Sequence, residues 1–271
     1  MTVRLIATDL DGTLVRSDGE ISTRTRDALA AAEDAALVVV FVTGRPPDVM
    51  KPVSDATGHR GLAVCANGAS IYDLHTEEVI EEFPMEAEVA RALTTAIREV
   101  LPDVAFAVQN GKQFTREPHF RAPFEVPPDE IVSELDHLLA GPVVKLLASH
   151  HTLNAAELRT ETEHVVGELA ELLTITFGNP DGGMVELSAA GVTKAFGLER
   201  LAAQHGITAS EVMAFGDMPN DIPMLVWAGH AIAVANAHPD VMAVADEVTA
   251  SNDDDGVALV IERLLPSRLI S

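Results

Sequence analysis

Apolar residues along this chain gather in short runs that stop abruptly at polar ones. Val3 to Thr8 reads as a strand, interrupted by Arg4 and ending at Asp9. Ser22 predicts an N-cap, with a helix to about Ala35 that turns Leu29 and several alanines inward. The run Leu37-Val38-Val39-Val40-Phe41-Val42 has no polar alternation, as expected of a strand covered on both faces in a parallel sheet. Pro46 or Pro47 can open the next helix. Leu62 to Cys65 is another short apolar run, and Asn67-Gly68 marks a turn before Ala69 to Tyr72. Strand alternating with helix implies parallel α/β architecture.

The same rhythm returns late. A helix from about Thr193 to Gln204 precedes the strand Glu211 to Phe215, which ends at Gly216-Asp217. A short helix over Asn220 to Trp227, a strand over Ala231 to Ala235, and helices over Pro239 to Ala245 and Gly256 to Leu264 follow. The middle differs. Glu86 to Val100 predicts a helix with Val89, Leu93, Ile97 and Val100 on one stripe. A hairpin is expected around Asn110-Gly111, helices over Glu130 to Leu139 and Leu153 to Leu172, and strands over Val143 to Ala148, Leu173 to Phe177 and Met184 to Leu187. The turn cluster Asn179 to Gly183 separates the last two. The expected organisation is an α/β core from residues 1–83 and 188–271, with residues 84–187 inserted as a smaller α+β domain.

Composition narrows the function. The 271 residues are 47% hydrophobic, enough for a sizeable core. The formal net charge is −24, the opposite of what a nucleic-acid binder or an anionic-membrane binder shows. A phosphorylated substrate would then be drawn in locally, by a metal ion and a few placed cations. One cysteine, Cys65, excludes a disulfide framework within the chain, and its apolar surroundings predict a buried side chain. No leader-like segment and no membrane-length apolar run is found, so a soluble cytoplasmic protein is expected.

Candidate chemistry sits at the strand ends. Asp9 and Asp11 follow the first strand, Thr43 the second, and Asp217 and Asp221 the strand ending at Phe215. Ligands of open parallel sheets bind beyond these ends. Carboxylates converging there repel one another unless they surround a hard cation, and oxygen donors favour magnesium. A carboxylate can then attack a phosphoryl group. A second one, two residues away, can protonate the leaving oxygen and later deprotonate water. Thr43 and Lys194 are available to hold the other phosphoryl oxygens.

These residues resemble the motifs of haloacid dehalogenase-superfamily phosphatases of the Cof-type, sugar-phosphatase-like group. Asp9-Leu10-Asp11-Gly12-Thr13 is similar to the first motif, and Val42-Thr43-Gly44-Arg45 to the second. Lys194 matches the third, although Ala195 follows it where the family often has glycine. Gly216-Asp217 with Asn220-Asp221 matches the fourth; Ala66 to Ala69 and Ser251 to Val257 also resemble that group. The resemblance implies a Rossmann-like core with an inserted cap that selects the substrate, and Mg2+ as cofactor. It implies Asp9 as nucleophile and metal ligand, and Asp11 as general acid/base with its backbone carbonyl on the metal. Asp217 would be a direct ligand, and Asp221 a ligand or the holder of a metal-bound water. Thr43, Gly44, Lys194 and Asn220 would bind the phosphoryl group, Lys194 also keeping Asp9 ionised. The substrate would be a small phosphomonoester, such as a sugar phosphate or phosphorylated cofactor.

A phosphosugar mutase on the same scaffold, or a module phosphorylated on aspartate without turnover, would use similar residues. The second is disfavoured by the chain's length and by Asp11. A dehalogenase would not need Asp11, Asp217 and Asp221. In the inserted block, Lys112, Arg116, Lys145 and Asn179 are candidates for substrate selection; no histidine is assigned a role. Arg45 is expected to brace its own loop, and Asp253-Asp254-Asp255 to be a solvated loop.

Overall fold

The computed structural model of the chain describes residues 2–123, 126–166, 173–177 and 183–265. Strand β1 (Leu5–Thr8) is buried along its whole length. Ser22 caps helix α1 (Thr23–Asp34), its hydroxyl accepting from Thr25 N, and Ala28, Leu29, Ala31 and Ala32 face inward. The valine run becomes β2 (Val38–Val42). A 3-10 turn at Pro47–Val49 leads into α2 (Lys51–Thr57). Strands β3 (Leu62–Cys65), β4 (Ser70–Asp73) and β5 (Glu78–Glu82) follow. The apolar pattern does not predict β5, because three of its five residues are glutamate. It lies at the sheet edge, where one face meets water.

The insertion contains α3 (Ala87–Val100), β6 (Ala105–Asn110), β7 (Gln113–Arg116), β8 (Ile131–Val132), α4 (Leu135–Leu138), β9 (Lys145–Ser149), α5 (Ala155–Val166), β10 (Leu173–Phe177) and β11 (Met184–Ala189). Its sheet runs β10-β11-β9-β6-β7-β8, antiparallel apart from the β7–β8 pair. Alternation along the strands makes two faces. Phe106, Val108, Leu146, Ala148, Val185 and Leu187 form one core with Leu93 and Ile97 of α3 and Leu158 of α5. Ala105, Ala107, Leu147 and Met184 form the other with Phe114 and Phe120. Two expectations are corrected here. Residues 130–139 are not one helix, because Ile131 and Val132 pair with Thr115 and Arg116 as β8. Val100 is 52% exposed, so the inner stripe of α3 is Ala90, Leu93, Thr94 and Ile97.

The chain then returns with α6 (Lys194–Gln204), β12 (Val212–Gly216), α7 (Ile222–Trp227), β13 (His230–Ala233), α8 (Pro239–Val244), β14 (Glu247–Val248) and α9 (Gly256–Leu264). The larger sheet has the order β14-β13-β12-β1-β2-β3-β4-β5, parallel from β14 to β3, with β4 antiparallel to β3. The chain steps outward from β1 through β2 to β3 on one side, and from β12 through β13 to β14 on the other. The strand order therefore reverses between β1 and β12, where open sheets bind ligands. Register aligns the ends: Thr8 stands opposite Phe41 on β2 and opposite Phe215 on β12. The fold is thus an α/β parallel-sheet core with an inserted α+β unit. The compact units are Met1–Glu81 with Thr193–Ser271, and Glu82–Val192. Among the described residues, no helix is long and apolar enough to cross a membrane.

Candidate active site

Asp9 leaves β1 with its N–H bonded to Phe215 O at 3.0 Å, so it starts level with the end of β12. Three N–H groups, of Thr13, Leu14 and Val15, fold back onto Leu10 O and fix the loop that follows. Thr13 Oγ1 donates to Asp217 Oδ1 at 2.8 Å. Gly12 lies between them with φ +82°, and a Cβ there would stand 2.4 Å from Asp217 Oδ2. Only glycine combines that backbone with that proximity. From the opposite loop, Asp221 Oδ2 accepts the N–H groups of Asp217 and Met218, both at 3.0 Å. Lys194 opens α6, capped by Thr193, and its ammonium donates to Asp9 Oδ1 at 2.6 Å and Asp221 Oδ1 at 2.5 Å.

Asp9, Asp217 and Asp221 are all buried, and each offers an oxygen within 4.8 Å of the others'. One ammonium thus serves a group of three carboxylates. Burial pushes the Asp9 carboxyl well up, and Asp221 and Asp217 add to this; Lys194 pulls it down without prevailing. Burial and Asp221 push Asp217 up to about 6, against the pull of the Thr13 hydroxyl. Burial disfavours the Lys194 ammonium, but Asp221 and Asp9 outweigh it and raise its pKa. Lys194 therefore stays charged and yet does not by itself restore Asp9. An oxygen-only donor set with excess buried negative charge fits a hard divalent cation. Asp9 and Asp217 are the better-placed donors, since both Asp221 oxygens already accept protein hydrogen bonds.

The other sequence candidates surround this group without joining it. Thr43 is fully buried at the end of β2; its hydroxyl accepts from Arg45 N at 3.0 Å. Gly44 follows, and a Cβ there would lie 3.3 Å from Asn67 Oδ1. Asn220 reaches the same asparagine, its Nδ2 donating to Asn67 Oδ1 at 3.0 Å. The Asp11 side chain is 58% exposed and turns to Arg45, which grips both its oxygens. Arg45 thus braces Asp11 as well as its own loop.

A profile of the haloacid dehalogenase-like hydrolases matches residues 6–261. The chain belongs to this family. It is 30% identical over 273 residues to the pyridoxal phosphate phosphatase YbhA of Escherichia coli K12, covering 96% of this chain and 98% of that one. It is 28% identical to the 5-amino-6-(5-phospho-D-ribitylamino)uracil phosphatase YcsE of Bacillus subtilis, covering 96% and 94%. Its fold is similar to the crystal structure of a haloacid dehalogenase-like hydrolase from Bacteroides thetaiotaomicron, at TM-score 0.77 and 28% identity over 97% of this chain and all of that one.

Several residues that hold this hydrolase's site together carry no signal in the apolar pattern. Thr13 lies inside the first motif, and its spacing from Asp9 is the only hint of its bond to Asp217. Asn67 reads as a turn residue, and its φ of +56° agrees; its N–H on Thr43 O makes it a tie between loops. Asn236 Nδ2 donates to Gly12 O, and Asn252 Nδ2 to Val15 O. Asp253 accepts from Ser17, and Asp255 from Arg16. The acidic run is the expected solvated loop, with Asp253 and Asp254 exposed, and it also clasps the first loop. In the insertion, Lys145 is buried on Glu186 at 2.8 Å and Arg116 is held by Glu130. Lys112 is exposed, and Asn179 lies outside the described residues.

Proposed function

We propose that this chain is a magnesium-dependent phosphatase that hydrolyses small phosphomonoesters through a phosphorylated Asp9. The observation that carries the reading is the Asp9, Asp217 and Asp221 group at the switch point of the sheet, with Lys194 bonded to two of its members. Asp9, Asp217 and the backbone carbonyl of Asp11 would hold Mg2+, with Asp221 positioning Lys194 and the 217–218 backbone. Bound there, the ion neutralises phosphoryl and carboxylate charge so that the two can approach. Asp9 attacks phosphorus with a carboxylate oxygen; a bond forms to Asp9 as the ester P–O bond breaks. Asp11 gives its proton to the departing oxygen and then takes one from the water that cleaves the acyl phosphate. Lys194 and the Thr43 hydroxyl donate to the equatorial oxygens, with Gly44 and Asn220 beside them.

The activities named for the two relatives support a substrate that is a phosphorylated cofactor or a sugar-like phosphate. Residues 84–187, within the inserted unit, would be the cap that selects it. The charge of −24 and the single buried cysteine suit a cytoplasmic enzyme without nucleic-acid partners. Phosphate release from a panel of phosphorylated metabolites, with Mg2+ or with a chelator, tests the reading. Release that needs Mg2+ and disappears in Asp9→Asn is expected. Full activity in Asp9→Asn, or no release from any ester, overturns it.

A further inference from the structure

The Arg45–Asp11 bridge joins two loops that the chemistry above uses separately. Arg45 Nε donates to Asp11 Oδ2 at 2.8 Å and Nη2 to Asp11 Oδ1 at 2.5 Å, a two-pronged contact that fixes the plane of the carboxyl as well as its place. Such a contact matters most where a side chain would otherwise be free. The Asp11 backbone is set by the turn onto Leu10 O, but its side chain stands 58% exposed at the rim of the buried group. The arginine itself is anchored. Its N–H rests on Thr43 Oγ1 at 3.0 Å, and its carbonyl accepts Ala66 N at 2.9 Å. The stiff end of β2 thus carries a guanidinium to the one carboxyl of the first motif that lies outside the buried group. The same N–H occupies a lone pair of the Thr43 hydroxyl, which leaves that hydroxyl's proton to donate elsewhere.

We propose that Arg45 is a positioning residue for proton transfer: it holds Asp11 where the ester oxygen departs. The proposal rests on the function proposed above. In the step concerned, the bond from Asp9 to phosphorus forms, the bond from phosphorus to the ester oxygen breaks, and a proton carried by the Asp11 carboxyl passes to that oxygen, leaving the carboxylate whose two oxygens Arg45 holds. A leaving alkoxide needs the proton. A 4-nitrophenolate is stable without it.

That difference makes the test. kcat/KM reports events up to departure of the alcohol, so it isolates this step from hydrolysis of the phosphorylated enzyme. It is measured for 4-nitrophenyl phosphate and for the alkyl phosphate of the metabolite panel that is turned over fastest. Arg45→Ala should lower kcat/KM for the alkyl ester roughly 10- to 100-fold, within the range of general acid catalysis, and for the nitrophenyl ester less than about 3-fold. Arg45→Lys keeps the charge without the fork and should show a smaller loss with the same split. Asp11→Ala should show the split in full, and adding Arg45→Ala to it should cost nothing further. Equal losses on both esters, or additive losses in the double variant, overturn the proposal: Arg45 would then touch the phosphoryl group or only hold its loop. Failure of the underlying reading shows differently, as no phosphate release by the unaltered protein from either ester.

Discussion

Thr13 and Asp217 are 204 positions apart in sequence, and their side chains are joined by a 2.8 Å hydrogen bond. The bond ties the loop after β1 to the loop after β12, the two loops that face each other across the strand-order reversal. It also supports the ionised form of Asp217, against burial and Asp221. Thr13→Val keeps the shape and removes the donor. It is expected to weaken Mg2+ binding about 10-fold, the low end for loss of a partner to a ligand. Calorimetric titration of Mg2+ into wild type and variant checks this, and an unchanged affinity would count against Asp217 as a ligand.

Gly12→Ala should be worse than its size suggests. The new methyl group meets Asp217 Oδ2 at 2.4 Å, and the backbone is in a region that alanine avoids. A loss of about 1–3 kcal/mol is expected from the strain alone, with phosphatase activity falling along with it. Urea unfolding measures the first and phosphate release the second. A variant that keeps both would mean that the loop can shift without moving Asp217.

How much of this was legible follows from where each signal resides. β1, β2 and β12 are continuous apolar runs that each end at a polar residue, so sequence located Asp9, Thr43 and Asp217 at one sheet edge. The parallel register then carries them together. Edge elements were hidden because their outward residues are polar: Glu78, Glu81 and Glu82 mask β5, and two residues are too few to reveal β8 or β14. The ties made by Asn67, Asn236 and Asn252 were hidden for another reason. An asparagine's partner is set by tertiary approach, and local spacing carries no record of it. The bonds of Asp253 to Ser17 and of Asp255 to Arg16 were hidden likewise, because these partners are more than 200 positions away.

Asp217 also predicts a pH effect in protein stripped of metal. Unfolded, it gives up its proton near 3.8; folded, it holds it up to about 6. Between these values the folded state binds more protons, so the stability this group contributes is present below pH 4 and is lost as pH rises through 6. The loss is on the order of 3 kcal/mol. Asp217→Asn has no such titration and can still accept from Thr13. In EDTA, the variant's melting temperature should gain on wild type between pH 4 and 7, and added Mg2+ should reverse the difference at pH 7. Parallel curves for the two proteins would show that Asp217 ionises normally without metal.

Lys194 offers the sharpest stability test, because its ammonium is buried between two carboxylates at 2.6 and 2.5 Å. Lys194→Met fills the volume and removes the charge, leaving Asp9 and Asp221 buried beside Asp217. Breaking a buried pair in this way costs about 3–5 kcal/mol, mostly through the charge left behind. Adding Asp9→Asn replaces one of the stranded carboxyl groups by a neutral amide, so the double variant should regain part of that loss even though both changes abolish activity. The comparison is made by urea unfolding in EDTA at pH 7.5. If the double variant is less stable than Lys194→Met by the amount Asp9→Asn costs alone, the two side chains are not coupled, and the charge balance drawn for this site is wrong.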